Sequence, residues 1–453
     1  MRKFLFTTQP SNDLGLLAQS LPIAGELRKR GHQIIFCTSG KAPCKVISDA
    51  NFGNCRPNWP VYLILTGDTR LTNILKLPGS MHLRRDLGIL SWYMKHMDEN
   101  STAEIWNIDH FMFLLGMGNE QYTRATVKTL SKILVKLKPD AVVNFWNPFV
   151  SIAARINNIP LISVIQADLH PRSKGFIWWK ETPHAIPTPI QAINNIMAEN
   201  QLPAISSVGE LSLGGLTLVL GIPETDPLPD AATIHYVGSL QLQGKNEKLP
   251  DWMNELKKDQ PVIWVYPGNM RYIKGHDSPF DGMAILQACI EVLGNMNVQV
   301  VLSTGHHALP REVLPLPSNF RHMSYVPGIA MAERCDLMIH HGGYGSSQTG
   351  LYTGTPAVII PTYSERESNA RRIAASGAGE FVLPETDASG KRKTIDTSEL
   401  RTKIERVLSD QSYRRKAGRI SEKLKKFSGA SKAANLIETF CATTNKPPTE
   451  ASI

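Results

Sequence analysis

The eight residues from His340 to Ser347, HHGGYGSS, place two imidazoles, three glycines and two serine hydroxyls in one short run. They follow the apolar strand pattern Cys335 to Ile339 and lead into a helical pattern from Ser346 to Tyr352. Glycines at 342, 343 and 345 let the backbone approach a ligand closely, and a helix start offers unpaired N–H groups at the positive end of its dipole. His341 adds a side-chain donor, and Ser346 supplies both a helix N-cap and a hydroxyl. An anionic diphosphate fits such a place. The same residues also satisfy a capped, glycine-rich turn with hydrogen-bonded histidines.

Downstream come Gly354-Thr355-Pro356, a strand pattern Ala357 to Ile360, and Pro361 to Arg372, PTYSERESNARR, in a helix that closes at Gly377. The order HHGGxGS, GTP, P, an acid four residues on, and NAxR resembles the donor-binding signature of the UDP-glycosyltransferases, among them the bacterial macrolide and antibiotic glycosyltransferases. The resemblance runs in order through much of the chain: Asn147 to Arg155 (NPxxxIAAR), Leu216 to Pro229, His235 to Gly238 (HYVG) and Tyr325 to Gly328 (YVPG). It implies the GT-B fold and a hexosyltransferase that takes a UDP- or TDP-sugar. The sugar would pass to a hydroxyl of a small-molecule, lipid or natural-product acceptor, with inversion.

On the same resemblance, His341, Gly343, Gly345 and Ser346 line the donor diphosphate. Tyr325, with Val326 after it, stands beside the base where relatives usually have Trp. Gly268-Asn269 matches a Gly-Ser/Thr turn near the phosphates. Glu365 and Arg366 take the places of an acid and a Gln that grip sugar hydroxyls. An arginine there cannot accept hydrogen bonds as an amide can, so it suits a sugar bearing an acidic group, unless it pairs with Glu365 or Glu367.

Relatives commonly carry a catalytic His in a GHxxP pattern sixteen residues before the His of RGH. Counting back from His32 in Arg30-Gly31-His32 reaches Leu16, preceded by Gly15. Another branch, which includes glycopeptide and sterol glycosyltransferases, has Asp at that place; Asp13 lies three residues earlier, which a longer loop would accommodate, and is the candidate base here. A carboxylate on the loop after the first strand can accept the acceptor hydroxyl's proton. Ser11-Asn12-Asp13-Leu14-Gly15 is also ordinary turn and cap chemistry. His82, His96, Asp109 and His110 are the further candidates. No DxD triplet occurs, so no metal ion and no other cofactor is expected.

Two runs of alternating strands and helices position these residues. Phe4 to Thr8, a helix ending at Gly31, and Ile34 to Cys37 open the chain; Arg124 to Leu137, Ala141 to Phe145, Phe149 to Asn157 and Leu161 to Ile165 repeat the alternation. It resumes at Val262 to Tyr266 and continues through Val298 to Ser303, Asp336 to His340 and Ala357 to Ile360. The expectation is an α/β chain of two Rossmann-like, doubly wound domains facing each other across a cleft. Residues 1–240 form the acceptor domain, 241–255 the linker, 256–442 the nucleotide-sugar domain and 443–453 a disordered tail.

The chain has 453 residues and a formal charge of +9, with basic residues gathered in Ser412 to Lys426 and Gly390 to Lys393. A solvated helix face accounts for the first cluster, and weak peripheral membrane contact is the other reading. Without interleaved aromatics these residues do not suggest nucleic-acid binding. The six cysteines form no CxxC pair, and the first residues lack a signal-type apolar run, so a reducing cytoplasmic setting is expected. A nicotinamide oxidoreductase is disfavoured because Gln9 to Gly15 holds one glycine. A nucleotide-sugar epimerase, and a catalytically inactive nucleotide-sugar-binding protein of the same fold, are the alternatives.

Overall fold

The structure, a computed structural model, describes residues 1–9, 14–57, 104–230, 233–241, 248–268, 282–305, 307–386 and 393–444. In the first half the strands are β1 (Lys3–Thr8), β2 (Gln33–Cys37), β3 (Gly53–Asn54), β4 (Ala141–Phe145), β5 (Leu161–Ile165), β6 (Leu216–Leu220) and β7 (His235–Gly238). Its helices are α1 (Gly15–Lys29), α2 (Lys41–Asp49), α3 (Ile108–Met112), α4 (Glu120–Leu137), α5 (Pro148–Ile156) and α6 (Ile190–Glu199). The strands pair in parallel, in the order β3-β2-β1-β4-β5-β6-β7.

The second half repeats the plan with β8 (Val262–Tyr266), β9 (Gln299–Ser303), β10 (Phe320–Met323), β11 (Leu337–His340), β12 (Ala357–Ile359) and β13 (Gly379–Phe381). Its helices are α7 (Met283–Leu293), α8 (Gly328–Arg334), α9 (Tyr344–Thr353), α10 (Ser364–Ser376), α11 (Thr397–Ser409), α12 (Ser412–Lys426) and α13 (Ala430–Thr444). This sheet is also parallel, in the order β10-β9-β8-β11-β12-β13.

Continuous apolar strands are what a sheet covered on both faces requires. In β1, Leu5 enters one core while Phe4 and Phe6 enter the other; in β8, Ile263 and Val265 point one way and Trp264 the other. Each sheet reverses its strand order beside its first strand, between β1 and β4 and between β8 and β11. Ligands of such sheets bind at the carboxyl ends of the strands beside that reversal. HHGGYGSS spans the last residue of β11, the loop after it and the first turn of α9, and Asp13 follows β1 in the sequence.

The last helix returns to the first sheet. Ala433, Ala434, Ile437 and Cys441 of α13, spaced along one helical face, join the core that holds Phe4 and Phe6, and Arg30 meets Glu438 at 2.7 Å. The preceding basic helix α12 buries Ala417, Ile420 and Leu424, and several of its cations have partners within the chain. Arg414 donates to the Asp336 carbonyl, Lys423 meets Glu224 at 2.6 Å and Lys425 lies over Tyr352. Among the described residues no helix is long and apolar enough to cross a membrane.

Candidate functional site

Four loops at the carboxyl edge of the second sheet bring together most of the residues singled out by sequence. Gly268 follows β8, Tyr325 and Val326 follow β10, His341 to Ser346 follow β11, and Glu365 and Arg366 follow β12. Asn269 and Asp13 lie outside the described residues, as do His82 and His96.

His341 is the centre of this arrangement. Its ring is buried, its Nδ1 has no hydrogen-bond partner among the described residues, and its edge meets Tyr266 at 5.4 Å. Burial, with Arg366 close by, pushes its pKa well below the ordinary histidine value, so the imidazole is neutral and one nitrogen can donate. His340 is also neutral, pushed down to about 3 by burial, and its Nδ1 accepts from the Gly342 N–H at 3.1 Å.

Two glycines fit around that ring. A Cβ on Gly268, whose φ is +90°, would lie 2.8 Å from the His341 ring, and one on Gly343 would lie 2.5 Å from Nε2. A Cβ on Gly345 would meet nothing within 4 Å among the described residues.

The helix start differs from the sequence expectation. α9 begins at Tyr344, with Gly343 in the cap position and no side-chain cap; Ser346 lies in the first turn, half-buried, and is not the N-cap. Gly343 in extended conformation starts the helix without a hydroxyl, which leaves its first N–H groups beside His341.

Glu365 and Arg366, both buried, stand at the first turn of α10. Glu365 accepts from Tyr363 Oη at 3.0 Å and from Asn369 Nδ2 at 2.9 Å, and burial raises its pKa above the ordinary carboxyl value despite Arg366 nearby. Asn369 Nδ2 also donates to the Gly342 carbonyl at 3.0 Å, which ties the α10 start to the histidine loop. Arg366 Nη1 donates to Thr362 Oγ1 at 2.5 Å, and its guanidinium lies over the Tyr363 ring. Lys393 Nζ reaches the carbonyl of the same Thr362, and burial followed by Arg366 lowers its pKa to about 8. Tyr325 is 42% exposed at the loop rim while Val326 is buried beneath it.

Of the first-half candidates, the two that the structure describes, Asp109 and His110, are held by hydrogen bonds within that half. Asp109 accepts from Val208 N at 2.7 Å and Ser207 Oγ at 3.1 Å, and the buried His110 accepts from the Trp106 N–H.

Sequence reasoning assigned no role to a buried polar cluster between the halves. Asp168, after β5, pairs with Arg372 of α10. Asp226, after β6, accepts from Thr225 Oγ1 at 2.6 Å and Gln348 Nε2 at 3.4 Å. Burial raises the pKa of both carboxyls, that of Asp226 to about 6, with Arg372 opposing. In the sequence Arg372 stands out only as the last letter of NAxR.

The calicheamicin glycosyltransferase CalG4 superposes on 98% of this chain and 100% of its own length, with a TM-score of 0.67 at 18% identity. The chain has the GT-B fold. The glycosyltransferase VinC, solved in complex with dTDP, shares it with a TM-score of 0.62 at 16% identity, over 97% of this chain and 100% of its own. Residues 287–435 of this GT-B chain match the C-terminal domain of the erythromycin biosynthesis protein CIII-like family. The uncharacterized UDP-glucosyltransferase YojK of Bacillus subtilis is 34% identical over 149 residues. That match spans 33% of this chain and 35% of YojK, about a third of the relative's length, and the family match falls in the same half that holds the histidine loop.

Proposed function

We propose that this chain is a glycosyltransferase that moves a sugar from a nucleoside diphosphate, UDP or TDP, to a hydroxyl of a small-molecule, lipid or natural-product acceptor. The observation that supports it most is the buried, neutral His341, whose Nδ1 has no hydrogen-bond partner among the described residues, set between the Gly268 turn and the start of α9. A diphosphate there accepts from the imidazole and from the first N–H groups of the helix, while the dipole stabilises the charge that grows on the leaving group. Such a site stabilises the leaving diphosphate without a metal ion, and we propose metal-independent transfer with inversion. Glu365 and Arg366, beside that loop, would orient the sugar, and Tyr325 at the rim would cover the base.

In this reading the first domain holds the acceptor, and Asp13 takes its proton as the hydroxyl attacks the anomeric carbon. Release of nucleoside diphosphate from UDP- and TDP-sugars, with and without an acceptor panel, tests the proposal. Turnover that vanishes in Asp13→Asn while nucleotide still binds supports it; binding without turnover on any donor or acceptor favours a nucleotide-sugar-binding protein of the same fold.

A further inference from the structure

Helix α10 is held by both domains through adjacent stripes of its surface. Ser364, Ser368, Arg371 and Arg372 recur at a spacing of three to four residues and therefore share a face. That face meets the first domain: Ser364 Oγ accepts from Ile105 N at 2.8 Å and donates to Ile105 O at 2.7 Å. Trp178 Nε1 donates to Ser368 Oγ at 3.0 Å, the Arg371 guanidinium lies 4.4 Å over the Trp179 ring, and Arg372 pairs with Asp168. The neighbouring stripe, Glu365 and Asn369, faces the histidine loop.

We infer that Asp168 and Arg372 are positioning residues for sugar transfer: their buried ion pair fixes α10, and with it Glu365 and Arg366, against the domain that would hold the acceptor. The inference rests on the glycosyltransferase reading above. A buried pair across an interface specifies one geometry, because every misaligned arrangement leaves a charge without its partner. The Asp168 side chain is 1% exposed and that of Arg372 14%. Asp226 belongs to the same cluster, since the charges of Arg372 and Asp168 act on it, and Gln348 of α9 reaches it from the helix that starts at the histidine loop. Both helices that open at the proposed donor site are thereby registered to the first domain. Neither Asp168 nor Arg372 belongs to the donor loops, so loss of the pair should disturb alignment and leave the nucleotide site intact.

Asp168→Asn and Arg372→Lys test this in the full chain, with Trp178→Phe as a mild variant that removes only the indole N–H. Hydrogen exchange over residues 364–376 reads the docking of α10 without any ligand. Calorimetry with UDP and TDP reads the donor site, and steady-state kinetics read alignment. The expected pattern is faster exchange in α10, nucleotide affinity within about twofold of wild type, and kcat lower by about tenfold or more in the charge variants and less in Trp178→Phe. Unchanged exchange, or kcat within about twofold of wild type in all three, overturns the inference; so does equal loss of nucleotide affinity and kcat, which marks a merely structural pair. If Asp168→Asn does not fold, Arg372→Lys and Trp178→Phe decide alone. Should wild type neither bind nucleotide nor turn over, the glycosyltransferase reading fails, while α10 exchange still reports whether the pair docks the helix.

Discussion

Asn369 grips Glu365 across one turn of α10, donating from Nδ2 to Oε1 at 2.9 Å while the same nitrogen reaches the Gly342 carbonyl at 3.0 Å. One buried amide thus sets the distance between the residue proposed for the sugar and the loop proposed for the diphosphate. Asn369→Ala removes a hydrogen bond to a buried carboxyl group and leaves a carbonyl unpaired, a loss of about 2–3 kcal/mol of stability. Thermal unfolding should show it, and the KM for the donor should rise; an unchanged melting temperature contradicts the contact.

His341→Ala should weaken UDP or TDP binding by about tenfold, which is roughly 1.4 kcal/mol, or more. Because burial keeps His341 neutral far below its usual pKa, wild-type affinity should not rise on acidification through about pH 6.5, as it would if an imidazolium held the phosphates. Calorimetry across that range checks both statements.

Gly268→Ala places a Cβ 2.8 Å from the His341 ring at a φ of +90° that alanine rarely adopts. The expected outcome is destabilisation by about 1–3 kcal/mol together with weakened nucleotide binding. Gly345→Ala meets nothing within 4 Å among the described residues, so it should leave stability nearly unchanged and reduce only donor affinity. Equal effects of the two substitutions on melting temperature would contradict the difference in their surroundings.

Burial pushes the Asp226 carboxyl in the folded chain up to about 6 from its ordinary value of 3.8, outweighing Arg372 and the hydroxyl of Thr225. Between those values the folded chain binds a proton that the unfolded chain has released, so stability from this group falls as pH rises through the window and is level above it. Asp168, Arg372, Tyr344 and Gln348 are the other polar groups of the cluster. Asp226→Asn removes the titration, so its melting temperature relative to wild type should climb between about pH 4 and 6.5. A constant difference across that range contradicts the assignment.

Arg366 and Lys393 both reach Thr362 beside the proposed sugar position, a cationic pair where a neutral hexose needs none. Arg366→Gln should therefore shift donor preference toward neutral sugars, read as the ratio of kcat/KM for a uronic-acid donor to that for its neutral counterpart. An unchanged ratio assigns Arg366 to packing over Tyr363.

Much of this molecule was legible in the sequence for a physical reason. Strands such as β4, AVVNF, and β8, VIWVY, are short apolar runs bounded by turns, the form a strand takes when both faces are covered, and their observed bounds are those expected. The histidine loop was legible as a turn between strand and helix because histidine, glycine and helix start lie within eight residues. The ion pair of Asp168 and Arg372 was not: its partners are 204 residues apart, and no local pattern marks a charge that will meet its partner across a domain interface. The Ser346 cap failed because an extended glycine can start a helix without a side-chain acceptor. Likewise, α13 returns to the first sheet through apolar positions that only fix a buried face, without saying against what.

The most direct test of the central claim is calorimetric titration of the full chain with UDP and TDP in a chelator, for wild type and His341→Ala. The account predicts one nucleotide bound per chain to wild type and affinity weakened about tenfold or more in the variant. No binding of either nucleotide, or equal affinity in both proteins, would contradict the placement of the donor diphosphate at His341.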